Sequence, residues 1–190
     1  MNLTDKFSSK RLRGNTLHYF SALMNLQDLG IDYLQLSSFK PKLERCFGHF
    51  APTLRFLALG EPEGSPRQIL YFIGLFPNLQ DLKLFYCRPR EEPESLAGSD
   101  LIPLSVPPLR GRLTLTCCMG ERLVKDMIAV FGGLHFRSMD LFRVKCTQLL
   151  LGTCAETLET LRLYPLDPDG KDSFKLDVGS KPMVSSEQTF

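Results

Sequence analysis

Six times along this chain, apolar residues return in one spacing: an apolar residue, two others, an apolar residue, one other, an apolar residue. The sets are Leu26, Leu29 and Ile31; Leu54, Leu57 and Leu59; Leu79, Leu82 and Leu84; Phe136, Met139 and Leu141; and Leu158, Leu161 and Leu163. One more supplies Leu113 and Leu115, with Arg110 in the first place and Leu109 one residue early. The central members are Leu29, Leu57, Leu82, Leu113, Met139 and Leu161, separated by 28, 25, 31, 26 and 22 residues. Alternation at the end of each set is the period-two signature of a strand with one buried face. A strand so short cannot bury that face alone. Copies at such a period must therefore stack on one another.

The spacing is the strand-and-turn half of a leucine-rich repeat, whose consensus runs L-x-x-L-x-L-x-x-N/C-x-L. Cys87 and Cys118 stand at its N/C position, where a small side chain turns inward and can satisfy backbone groups. Helical patterns lie between the strands. Residues 121–131 place Leu123, Val124, Met127, Ile128 and Phe131 on one face and Glu121, Arg122, Lys125 and Asp126 on the other, followed by Gly132 and Gly133 at a helix end. Residues 66–76 form a second, with Ile69, Leu70, Ile73 and Phe76 inward and Pro66 in the first turn. Shorter candidates are 42–50 and 148–156. The predicted fold is an α/β class short leucine-rich-repeat solenoid of about six units, with a parallel sheet on the concave face and helices on the convex face.

The 31-residue step has a visible cause. Residues 88–108 carry five prolines and the acidic group Glu91, Glu92 and Glu94, which cannot continue a helix or a ladder and read as a loop insertion. Residues 1–16 are a polar, basic, flexible lead-in, 17–166 the solenoid, and 167–190 a disordered tail rich in Asp, Gly, Lys and Ser. Neither end offers a polar capping unit, so the array reads as cut from a longer one.

Composition excludes more than it assigns. The 190 residues are 43% hydrophobic and 23% charged, in the range of a globular chain, and a net charge of +2 gives no broad attraction to nucleic acid or to a membrane. The longest apolar run has eight residues, 69–76, against the roughly 20 of a membrane span. Charges at Asp5, Lys6, Lys10, Arg11 and Arg13 interrupt any secretory signal, and six cysteines are too sparse for a disulfide scaffold. The expected compartment is cytoplasmic or nuclear.

Cys46 and His49 are the one pair that invites a catalytic reading, since three-residue spacing can bring a thiol and an imidazole onto one helical face. No third orienting group or oxyanion element accompanies them, and they read as a core thiol and a surface histidine. Cys117 and Cys118 are adjacent and no C-x-x-C occurs, which argues against zinc. Cys146 and Cys154 sit among apolar neighbours and read as core thiols. Gly132–Gly133 lacks the context of a phosphate loop. No cofactor, metal or enzyme activity is expected.

What remains is the face opposite the leucines. The residue after the second leucine is Gly30, Ala58, Lys83, Thr114, Asp140 and Arg162 in turn; two residues on stand Asp32, Gly60, Phe85, Thr116, Phe142 and Tyr164. Three aromatics beside Lys83, Asp140, Arg143 and Arg162 make an aromatic-and-charged strip of the composition that protein interfaces enrich. The expectation is that Phe85, Phe142 and Tyr164 are exposed on one side and that the strip contacts a protein partner.

The phrases N-T-L-H-Y-F-S-A-L-M-N-L-Q-D-L-G-I-D, C-F-G-H-F-A-P-T-L-R-F-L-A-L and A-E-T-L-E-T-L-R-L-Y-P resemble the leucine-rich-repeat region of F-box-type proteins expanded in mushroom-forming fungi. In that family the F-box docks on the Skp-type adaptor of a cullin ubiquitin ligase and the repeats present substrate. This chain departs from the pattern because no F-box precedes the repeat at Leu26. The resemblance implies the substrate-binding half of such a receptor, without direct adaptor binding. The alternatives are a truncated repeat fragment without activity of its own and, last, an enzyme using Cys46 and His49.

Overall fold

The computed structural model describes residues 25–36, 47–87, 108–117, 120–144 and 146–164, with the backbone of 174–177. It is an α/β structure whose strands pair in chain order: β1 (Asp28–Asp32), β2 (Phe56–Gly60), β3 (Asp81–Phe85), β4 (Leu109–Thr116), β5 (Leu134–Phe142) and β6 (Thr160–Tyr164) are parallel, and β7 (Phe174–Asp177) closes the order antiparallel to β6. The sheet is open, not a barrel. Three helices are described, α1 (Pro66–Gly74), α2 (Glu121–Val130) and α3 (Thr147–Cys154).

The register aligns the apolar sets. Leu29, Leu57, Leu82, Leu113, Met139 and Leu161 are successive partners, as are Ile31, Leu59, Leu84, Leu115, Leu141 and Leu163. All but Leu163 are buried, and they share one core with the inward residues of the helices. Each fully buried leucine contributes about 1.5–3 kcal/mol relative to exposure. On this side Phe47, Phe50, Phe72 and Phe76 form a further cluster, mostly edge to face, with Phe47 and Phe72 centroids 5.1 Å apart.

Three devices recur between neighbouring units. At strand entry, backbone N–H groups of Phe56, Asp81 and Arg112 donate to the carbonyls of Gln27, Arg55 and Gln80. Before the first apolar residue of a set, a polar side chain reaches back: Thr53 Oγ1 to the Leu26 carbonyl at 2.9 Å, Asn78 Nδ2 to Pro52 at 2.8 Å, Thr157 Oγ1 to Phe136 at 3.2 Å. At strand exit, Tyr33, Glu61, Tyr86, Cys117 and Arg143 all take a left-handed backbone, with φ between 44° and 59°. Each then donates its N–H to the last carbonyl of the next strand, on Gly60, Phe85, Thr116, Phe142 and Tyr164, at 2.7–2.9 Å. Bending a non-glycine chain this way is strained. That five consecutive exits do it shows one local solution reused.

Local signals explain the helices. Ser65 caps α1: its hydroxyl accepts from the Gln68 N–H while the Gln68 side chain accepts from the Ser65 N–H at 2.9 Å, a capping box, with Pro66 at the first helical position. Helix α2 ends on Gly132, φ 63°, and the Gly133 N–H closes onto the Ile128 carbonyl at 2.9 Å, the glycine-dependent ending the sequence implies.

The structure corrects several expectations. Arg110 fills no core place because β4 kinks between Gly111 and Arg112, where the register with β5 shifts so that Arg137 has no partner. Leu109 takes the buried position instead, paired with Leu134. Gly111 has φ 87°, and a Cβ there would collide with the Gln80 carbonyl, so only glycine fits. The stretch read as a disordered tail contributes β7, whose Leu176 and Phe174 extend the two apolar rows; its other residues lie outside those described. So do the lead-in, the insertion up to residue 107, most of the helix expected at 42–50, and both Cys46 and Cys118.

Candidate functional site

Alternation sends every second residue of each strand to the face away from the core, and the register sorts them into three rows. The row between the two leucine rows is Gly30, Ala58, Lys83, Thr114, Asp140 and Arg162, and the exit row is Asp32, Gly60, Phe85, Thr116, Phe142 and Tyr164. Both are in the order expected. A further row, Asp28, Phe56, Asp81, Arg112, Ser138 and Thr160, lies at the strand entries. Sequence reasoning passed over it, though alternation puts the residue before a leucine on the same face as the one after it.

Of the seven residues expected to contact a partner, four are brought together at β5 and β6. The rings of Phe142 and Tyr164 stack, centroids 3.9 Å apart and 6° from parallel. Beside them Arg162 Nε lies 3.8 Å from Asp140 Oδ1. Arg143 follows Phe142 directly and is exposed. Phe85 stands two strands away across Thr116. Lys83 turns toward β2, its Nζ 4.9 Å from the centre of the Phe56 ring, a cation–π contact. Phe85, Phe142 and Tyr164, expected to be exposed on one side, are each half-buried and not lost to the core.

The face also holds three shielded side-chain oxygens that make no hydrogen bond, Asp81 Oδ1, Thr114 Oγ1 and Asp140 Oδ1, the last of them in the ion pair with Arg162. Thr114 is 7% exposed. A shielded polar atom left unpaired costs about 1–3 kcal/mol. Burial pushes the Asp81 carboxyl above its ordinary value, with Asp140 and Asp28 adding to the rise and Lys83 and Arg112 opposing it. The charges of four strands therefore meet around Asp81.

Of the described thiols, Cys87, Cys146 and Cys154 offer no comparable chemistry. Burial pushes Cys87 up to about 12 and raises Cys146 and Cys154, away from the thiolate a nucleophile needs. Cys87 is fully buried, and among the described residues its thiol makes no hydrogen bond; the equivalent Leu34 and Pro62 are buried too. The position is filled for packing, not for backbone bonding. Cys154 Sγ does reach the Leu134 carbonyl at 3.5 Å. His49 is exposed. Among the described residues no group of three or more His, Cys, Asp or Glu could hold a metal ion, and no helix is long and apolar enough to cross a membrane.

No protein-family model, no curated protein and no solved structure matches the chain.

Proposed function

We propose that the chain is a leucine-rich-repeat solenoid serving as a non-catalytic protein-recognition module, with the open sheet face as its contact surface. The observation that carries this reading is the stacked Phe142–Tyr164 pair beside the Asp140–Arg162 pair, on a face where three shielded side-chain oxygens make no hydrogen bond. Aromatics and arginine are the residues on which interface energy concentrates, and unpaired acceptors favour a second molecule that supplies donors. Five like strand exits and one register through six strands support the repeat reading. By the fungal F-box resemblance, the partner is a substrate of a ubiquitin ligase, met in the cytoplasm or nucleus.

The test is affinity capture from the source cell with the wild type beside a Phe85→Ala/Phe142→Ala/Tyr164→Ala variant that melts cooperatively. At least one protein held by the wild type is lost from the variant. Identical interactor lists would remove the strip from consideration.

A further inference from the structure

Charge is not spread evenly over the open face. Its β1–β2 end carries Asp28, Asp32 and, at the exit of β2, Glu61, all exposed; Asp32 leans over Gly60 on the neighbouring strand. Its β5–β6 end carries exposed Arg143 and Arg162, whose side chain is 43% exposed, beside Asp140 at 14%. Asp81, Lys83 and Arg112 lie between. Among the described residues the face is thus acidic at one end, basic at the other and mixed at its centre.

We propose that this face is self-complementary and that its occupant is a second copy of this chain. The proposal rests on the reading of the open face as a protein-docking surface and names what docks. Two-fold symmetry is the usual way in which one surface patch meets itself. An axis lying between two facing sheets, parallel to the strands and at the β3–β4 boundary, lays β1 over β6 of the second copy, β2 over β5 and β3 over β4. The rows stay in line. Asp81 then faces the second copy's Arg112, Glu61 faces its Arg143, and Lys83 faces its Thr114. Two of the three shielded oxygens without a hydrogen bond, Asp81 Oδ1 and Thr114 Oγ1, each meet a cationic donor.

Size matches as well as charge. Arg162 comes opposite Gly30, above which a side chain would meet nothing within 4 Å, with Asp28 and Asp32 on either side. Asp140 comes opposite Ala58. An axis running across the strands would instead stack each strand on its own copy in the reverse direction, setting Asp28 of one copy against Asp32 of the other. The charges select the first arrangement.

Six strands about 4.8 Å apart and five residues of about 3.3 Å give a face of roughly 480 Å² per copy. That is below the roughly 800 Å² per partner of a standard interface. The dimer is accordingly weak, reversible and sensitive to salt.

Sedimentation of the full chain over a concentration series tests this. The wild type goes from monomer to dimer, and raising salt from about 50 to about 500 mM weakens the association at least about tenfold. Asp32→Arg/Glu61→Arg makes both ends basic, and Arg143→Glu/Arg162→Glu makes both acidic. Each variant alone is monomeric, and an equal mixture forms a one-to-one heterodimer, which also shows that both are folded. A wild type monomeric at every concentration overturns the proposal, as does a mixture that stays monomeric. If the wild type is monomeric while the triple-alanine variant still loses a captured protein, self-association falls and the recognition reading stands. If the mixture dimerises while capture is unaltered, self-association stands and the reading of a different protein on this face falls.

Discussion

The two faces of one sheet could hardly differ more. Toward the helices, Leu57, Leu82, Leu113 and Met139 are at most 1% exposed, and Phe47, Phe50, Phe72 and Phe76 interlock beneath them. Toward the open side the sheet presents Lys83, Thr114, Asp140 and Arg162, with Asp140 and Arg162 paired and the shielded oxygens of Asp81, Thr114 and Asp140 without a hydrogen bond. Adjacent residues of one strand thus serve opposite ends. Stability is concentrated on one face, which leaves the other free to keep groups that a stability-optimised surface would discard.

Breaking the inner face gives the largest effect. Phe72→Ala removes a fully buried ring from a cluster with no solvent access and lowers the unfolding free energy by about 3–5 kcal/mol in urea titration. Gly111→Ala follows, at about 2–3 kcal/mol, because the new methyl group meets a backbone carbonyl and the left-handed φ is denied to alanine. If that substitution is silent, the kink in β4 is not what sets its register with β5.

On the open face the effects shrink. Tyr164→Ala removes one ring of the stacked pair and costs about 1 kcal/mol of stability, while removing a principal contact of the proposed interface. A stability loss as large as that of Phe72→Ala would erase the distinction between the faces. The smallest effect is at Asp81. Burial raises its carboxyl above the ordinary 3.8, so the folded protein holds this proton more tightly than the unfolded chain does. The resulting stabilisation is complete below the unfolded value and is lost as pH rises through the raised one. Asp81→Asn therefore stabilises at neutral pH, by less than about 1 kcal/mol because solvent still reaches the group. The gain fades as pH falls toward 3.8. A gain independent of pH would place the cause elsewhere.

The strands and their order could be read from the chain because leucines at strand positions answer to one physical demand, burial of a face with period two. Helix α2 was legible for the same reason, at period 3.6, and Gly132–Gly133 marked its end. Other features carried no residue-type signal. Tyr33, Glu61, Tyr86, Cys117 and Arg143 share a left-handed backbone yet include no glycine or asparagine; their bend is imposed by the ladder, not by propensity. The β4 kink was visible only as a misplaced Arg110, since register belongs to the pair of strands. Strand β7 sits in a polar stretch whose pairing is supplied by β6. The strip was half legible: its rows were correct, but Asp81 and Arg112 were missed because only positions after the leucine were counted, and which rings stack depends on rotamers.

Both faces exist only if each strand lies beside the next in chain order, and five strand-exit amides report that arrangement one by one. Residue-resolved hydrogen exchange at Tyr33, Glu61, Tyr86, Cys117 and Arg143 is the direct measurement, because each N–H is held by the following strand. All five are slowed at least about a thousandfold relative to free amides, as groups released only by opening of the ladder. Exchange at free-loop rates in these positions would contradict the ladder, and with it the division of the sheet into a buried face and an open one.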